Sequence, residues 1–109
     1  MIFRSGPLRR YVASMACVHC GSLNVQAAHR NFGKGLGLKV SDGLIAALCV
    51  REHTRIDQGK DLTREERREL MDTYILRTFK RAEMRGDLDA VLLAAWRGEL
   101  EKVGMLEVA

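Results

Sequence analysis

The chain has 109 residues, of which 47% are hydrophobic and 29% charged, and no apolar run approaches the length that a transmembrane helix needs. This length predicts a single domain (1–109), and without a secretory leader we expect a cytoplasmic protein that does not bind a membrane. The three cysteines are an odd number, which argues against a secreted disulfide framework and for reduced thiols.

The charge is unevenly distributed. The chain has 18 Lys and Arg against 14 Asp and Glu, a formal net charge of +4, and the segment from Arg4 to Lys39 contains no acidic residue. A local excess of this kind favours a polyanionic partner such as DNA. A solvated basic face would account for it equally well.

The first half of the chain predicts a helix followed by a hairpin. Residues 2–15 have apolar side chains at helical spacing and predict a short basic amphipathic helix or arm. Val25–Ala28 predicts a strand, the glycine-rich segment 31–39 a loop, and Leu44–Leu48 a second strand. Arg51–Ile56 then predicts a helical turn.

The second half predicts two helices. Thr63 and Glu66 have the spacing of a capping box, which begins a long helix that runs to about Arg85. Asp87 or Asp89 can cap a last helix, which ends at Gly98 or Gly104, and we expect the residues after 104 to be poorly ordered. The chain thus divides into a metal core (16–60) and a helical part (62–104).

All cysteines and histidines lie within one stretch of about forty residues, an arrangement typical of a metal centre. Cys17-x-x-Cys20 has the spacing of a zinc knuckle, and Cys49 supplies a third ligand. The fourth is either Glu52, which stands three residues after Cys49, or the neighbouring His53. A redox dithiol and chance burial of the thiols are the competing interpretations.

The sequence also allows a second, catalytic metal. His53 and Asp57 are four residues apart, so in a helix they share one face and could bind Mg²⁺ or Mn²⁺, although such pairs are more often surface hydrogen bonds. His29 could act as a general base on a phosphodiester, or be a partly buried histidine bonded to backbone. Asn31 could orient His29 or simply cap the loop. Arg30, Lys34 and Lys39 could bind phosphate, and the two lysines could instead be solvated loop charges. His19, between the knuckle cysteines, receives no role.

The order of these motifs resembles the HNH, or ββα-metal, endonucleases, and more narrowly a group of small phage and prophage HNH-type nucleases. The resemblance covers roughly residues 4–85 and comes from several short motifs that recur in one order. The motifs are Ala28-His29-Arg30-Asn31, Gly33-Lys34-Gly35-Leu36-Gly37-Leu38-Lys39, Ser41-Asp42, Leu48-Cys49, His53, Ile56-Asp57-Gln58-Gly59-Lys60 and Glu66-Arg67-Arg68.

The resemblance implies an α+β fold: a small zinc-stapled ββα-metal (HNH) core, with an N-terminal basic helix or arm and two C-terminal helices. It assigns the general base to His29, the metal-binding histidine to His53 and a further metal ligand to Asp57. The structural zinc ligands that it implies are Cys17, Cys20 and Cys49.

Two positions depart from the family pattern. The family usually has a second Cys-x-x-Cys-His knuckle, where this chain has Glu52 in place of the last cysteine. Many members also place Asp or His immediately before the base, where this chain has Ala28. A catalytic metal would then be bound by His53, Asp57 and water.

We therefore expect a metal-dependent DNA endonuclease or nickase that hydrolyses phosphodiester bonds, in phage or prophage DNA metabolism as the resemblance implies. The alternative is a non-catalytic, zinc-stabilised nucleic-acid-binding module. A third hypothesis is an interaction protein whose C-terminal helices bind a partner, or a second copy in a homodimer, through Leu92, Trp96 and Leu100.

Overall fold

The computed structural model describes residues 2–30 and 40–108. Its elements in chain order are helix α1 (Gly6–Ala13), strands β1 (Val25–His29) and β2 (Ile45–Cys49), and helices α2 (Val50–Gln58), α3 (Arg64–Arg85) and α4 (Ala90–Lys102). These elements confirm the predicted α+β class, with one N-terminal and two C-terminal helices. None of the helices in the described ranges is both long enough and apolar enough to cross a membrane.

Local signals explain where the C-terminal helices begin and end. Thr63 and Glu66 form the predicted capping box, in which each residue's backbone N–H donates to the other's side chain, at 2.8 and 3.1 Å. Gly86 ends α3 in the left-handed conformation (φ +68°), which favours glycine. Of the two predicted caps of α4, Asp89 fills the role and Asp87 does not.

The C-terminal end of α4 corrects one expectation. The helix continues through Gly98, and Gly104 (φ +77°) lies just past its end. The Met105 N–H donates to the Leu100 carbonyl at 2.9 Å, as in a Schellman motif, and Met105 and Leu106 pack against the core. The expectation of poor order immediately after residue 104 is therefore wrong, because these apolar side chains return to the core.

The two strands form an antiparallel hairpin. Its pairing runs from Val25 opposite Cys49 at one end to His29 opposite Ile45 at the other. Every residue of β2 is buried, since α1 and α3 both pack against this strand. Because α2 follows β2 directly, residues 52 and 53 fall in the first turn and a half of α2, close to the base of the hairpin.

One hydrophobic cluster joins α1, both strands and the three later helices, so the predicted parts 16–60 and 62–104 share a core. Trp96 contacts the Phe79 ring edge-on, with centroids 5.1 Å apart, and its Nε1–H donates to the Gly43 carbonyl at 2.8 Å. Trp96 and Leu100 are completely buried. Neither side chain is therefore on the surface, where the third hypothesis needs them.

Candidate metal centre and histidine site

The three cysteines meet where the N-terminal loop packs against the end of β2. Their Sγ atoms all lie within 4.8 Å of one another, and those of Cys20 and Cys49 are 3.7 Å apart. Two sulfur atoms that bind one tetrahedral zinc ion at about 2.3 Å are themselves about 3.8 Å apart. The three residues are free thiols, so the cluster could hold a metal ion such as zinc.

The backbone around Cys17 favours a thiolate. The turn closes with a hydrogen bond from the Gly21 N–H to the Cys17 carbonyl at 2.9 Å. Burial raises the pKa of the Cys17 thiol, but the backbone N–H groups of Cys49, Cys20 and His19 point at this sulfur and hold its pKa below the ordinary value. The thiolate is the form that binds a metal, so this turn is arranged for a metal ligand.

Glu52, one candidate for the fourth zinc ligand, belongs to a separate buried network. Its side chain is 3% exposed, and its Oε2 accepts hydrogen bonds from the Tyr74 hydroxyl at 2.6 Å and from Arg55 at 3.0 Å. The same hydroxyl contacts His19 Nδ1 at 2.8 Å. Burial and the neighbouring Glu52 raise the pKa of Tyr74, so this hydroxyl stays protonated and donates to Glu52.

In the part of the chain that the structure describes, no fourth His, Cys, Asp or Glu joins the three cysteines. The segment 31–39 has none of these residue types in its sequence. The structure thus brings Cys17, Cys20 and Cys49 together and leaves the choice of Glu52 or His53 as fourth ligand a prediction.

His29, the predicted general base, lies at the end of β1 against a buried carboxylate. Its Nε2 is 2.8 Å from Asp42 Oδ1, and its side chain is about one-third exposed. Since Asp42 is ionised, Nε2 carries the proton of this hydrogen bond, and the lone pair of a neutral His29 is on Nδ1. This arrangement orients an imidazole whose Nδ1 has no hydrogen-bond partner among residues 2–30 and 40–108 and could accept a proton.

Asp42 is completely buried and binds several groups of the N-terminal segment. It accepts a hydrogen bond from the Ser5 N–H at 2.7 Å and forms ion pairs with Arg4 at 3.3 Å and with Arg9. Burial alone would raise the pKa of Asp42, but the hydrogen bonds from Ser5, His29 and Arg9, with the charge of Arg4, hold it below the ordinary value. The carboxylate therefore connects α1 to the histidine.

His53 and Asp57 share one face of α2, as their spacing predicts. His53 Nε2 lies 3.3 Å from Asp57 Oδ2, and His53 Nδ1 lies 2.7 Å from the side-chain oxygen of Gln26 on β1. Two ligand atoms that each lie about 2.1 Å from a cation, with a ligand–cation–ligand angle of about 90°, are about 3.0 Å apart. The 3.3 Å distance is compatible both with an i, i+4 ion pair and with two ligands of one divalent ion, so a metal ion at this position stays a prediction.

The structure does not join the two histidines into one cluster. His53 contacts Gln26, three strand positions from His29, and three residues of a strand span about 10 Å with side chains on alternating faces. His29 contacts Asp42 at the end of the hairpin opposite the Val25–Cys49 pair. Between these positions Ala28 is fully buried and offers no ligand.

Of the three predicted phosphate-binding cations, the structure describes one. Arg30 contacts Asp72, with its Nε 3.2 Å from Oδ1, and is 16% exposed, so its charge is largely used within the protein. Lys34, Lys39 and Asn31 lie outside the described residues. Arg4 and Arg9, which sequence reasoning left without a role, are instead half-exposed beside His29 and Asp42.

Three residues of the site were missed by sequence reasoning: Asp42, Gln26 and Tyr74. Asp42 had a usable signal, because it is the first acidic residue of the chain and follows a long basic segment. Sequence reasoning used the Ser41-Asp42 motif only as part of the resemblance, which gave Asp42 no role. Gln26 and Tyr74 carry no local signal, since their roles depend on how α2 and α3 pack against the hairpin.

Comparison of the chain with known protein families, with curated proteins and with solved structures found no match. The interpretation of the site therefore depends on its geometry.

Proposed function

We propose that this protein is a metal-dependent DNA endonuclease or nickase of the HNH type. The observation that carries the proposal is the His29–Asp42 pair, in which a buried carboxylate orients a partly exposed imidazole. This pairing is how hydrolases hold a histidine base in one tautomer and stabilise the imidazolium that forms when it takes a proton.

In this proposal His29 Nδ1 removes a proton from the water that attacks the phosphodiester. The Asp42 carboxylate then faces a charged imidazolium across a 2.8 Å hydrogen bond and stabilises it. Arg4 and Arg9 compensate the charge of Asp42 and leave part of their own surface in solvent, next to the histidine. A phosphate that approaches His29 would meet this positive surface.

The catalytic cation would be Mg²⁺ or Mn²⁺, bound by His53 and Asp57. When bound, such an ion would supply positive charge to phosphate oxygens. Because Gln26, which contacts His53, lies three strand positions or about 10 Å from His29, the bound DNA strand would have to extend from one position to the other. Gln26 positions the His53 ring through Nδ1 and leaves Nε2 facing Asp57. Zinc in the cysteine cluster would have a structural role, because it would fix the loop between α1 and β1 to the end of β2.

The test is the nicking of supercoiled plasmid by purified protein with Mg²⁺ or Mn²⁺, beside His29→Ala and His53→Ala. We expect both variants to lose nicking while they keep the circular dichroism spectrum of the wild type. Thr54→Ala is the matched control, because Thr54 lies exposed on α2 beside His53. Nicking that survives in His29→Ala would show that the mechanism is wrong.

A second candidate is the non-catalytic, zinc-stabilised nucleic-acid-binding module. The buried Ala28 favours it, because β1 then supplies no metal ligand beside the base, and so does the separation of His29 from His53 along β1. This candidate predicts salt-dependent gel shifts of DNA and no cleavage with any divalent ion. Both assays use the same samples, so one experiment distinguishes the two functions.

A further inference from the structure

The cysteine cluster borders an open cavity. The cavity has a volume of about 310 Å³. Its walls include Cys20, Cys49, Arg51 and Glu52, and Cys20 is itself exposed. Since one water molecule occupies about 30 Å³, the cavity has room for several. A metal ion held by the three thiolates would therefore have solvent on one side.

Glu52 lies at this cavity but is held away from the sulfur atoms. Its Oε2 is bound by Tyr74 and Arg55, at 2.6 and 3.0 Å, and its side chain is almost completely buried. Oε1 faces His19 Nε2 at 3.8 Å and is not among the ligand atoms that lie within 4.8 Å of one another. Ligation through Oε2 would remove the acceptor of a buried hydroxyl. Leaving such a group unsatisfied costs about 1–3 kcal/mol.

The ring nitrogens of His19 and His53 also contact partners other than the cysteine sulfur atoms. The Tyr74 hydroxyl donates to Glu52, so in its 2.8 Å contact with His19 Nδ1 the histidine is the donor. His19 Nε2 then faces Glu52 Oε1 at 3.8 Å. His53 has one ring nitrogen at Gln26 and the other at Asp57.

Charge also argues against a carboxylate as the fourth ligand. Three thiolates and one Zn²⁺ have a net charge of −1, and a carboxylate as fourth ligand would make it −2. Two of the three cysteines are buried, and uncompensated charge in a buried site is costly. A neutral ligand avoids that cost, and Arg51 at the cavity wall adds positive charge nearby.

We infer that the cysteines form an open three-thiolate metal site, whose fourth position faces the cavity and takes a small exchangeable donor from solution. At rest this donor is water, and a small nitrogen or sulfur donor such as imidazole or a soluble thiol replaces it. The inference does not depend on the proposed nuclease activity, because it requires neither proton transfer by His29 nor a second metal ion.

The test uses Co²⁺, whose visible absorption reports ligand type and geometry, on protein produced in cobalt-supplemented medium. We expect one bound Co²⁺ per chain with thiolate-to-metal charge-transfer bands. Adding imidazole should shift the visible ligand-field bands in a saturable way while the charge-transfer bands of the three thiolates remain. In the absence of imidazole, His53→Ala and Thr54→Ala should both give the wild-type spectrum.

Two results would overturn the inference. One is a wild-type spectrum that saturating imidazole leaves unchanged, because a protein side chain would then fill the fourth position. The other is a change of the ligand-field bands in Glu52→Gln, His19→Ala or His53→Ala without imidazole, which would identify that residue as the ligand. The first readout needs only the wild-type protein, so it decides the matter even where a variant does not fold.

Discussion

Replacing Asp42 with Asn should destabilise the protein more than any substitution of a surface acid. Asp42 is fully buried and is the common partner of His29, Arg4 and Arg9. Asparagine has nearly the same shape and can still accept the Ser5 N–H. The substitution therefore removes mainly the charge, and with it the ion pairs that join the N-terminal segment to the hairpin.

The size of the effect follows from the burial of the partners. Removing one member of a buried ion pair costs about 3–5 kcal/mol. The Arg4 and Arg9 side chains are 45% and 39% exposed, so water can solvate both cations once the carboxylate is lost. We therefore expect the low end, about 3 kcal/mol, which for a domain of about 100 residues lowers the Tm by on the order of 10 °C.

Urea denaturation of the wild type and Asp42→Asn at several pH values measures this effect. The pKa of Asp42 is lowered in the folded state, so its contribution is complete above the unfolded pKa of about 3.9 and is lost as the pH falls through the folded pKa. The difference between the two proteins should thus shrink as the pH falls below about 4.

The matched control is Asp61→Asn. Asp61 is paired with Arg55 but is 59% exposed, so its loss should change the free energy of unfolding little. Equal stability of Asp42→Asn and the wild type at pH 7 would refute the reasoning, as would a difference that grows as the pH falls below about 4.

Three other substitutions test separate parts of the structure. Thr78→Val removes the hydroxyl that accepts the Ala47 N–H at 3.1 Å inside the buried strand, and urea denaturation should show a loss of about 1–3 kcal/mol. Gly86→Ala meets no atom within 4 Å but keeps φ at +68°, so thermal denaturation should show a loss of about 1 kcal/mol; a gain would contradict this account. Cys20→Ser should lower zinc affinity at least about tenfold in a competition with a chromophoric chelator, and unchanged affinity would exclude Cys20 as a ligand.

The helices and strands could be predicted because their signals are local. The capping box at Thr63 and Glu66, the glycine at 86 and the apolar run before Cys49 each act within a few residues. The cysteine cluster was also predictable, since ligand spacing in sequence reflects the geometry of the bound ion. The capping box, the glycine and the apolar run can each be interpreted without any distant part of the chain.

The partners of the site residues could not be predicted, because they depend on packing. Asp42 lies across the hairpin end from His29 and is also bound by cations of the N-terminal segment, and Tyr74 reaches Glu52 because α2 and α3 pack together. The tail at Met105 is ordered by contact with a core that the tail sequence does not reveal. Each of these contacts joins residues far apart in the chain.

The measurement that tests the central claim most directly is chemical rescue of the base. Plasmid nicking with Mn²⁺ would be timed for the wild type and for His29→Ala, with and without added imidazole. A general base contributes about 10²–10⁴-fold, so we expect a loss in that range and partial recovery when imidazole replaces the missing side chain. A His29→Ala protein that nicks at the wild-type rate would contradict the account.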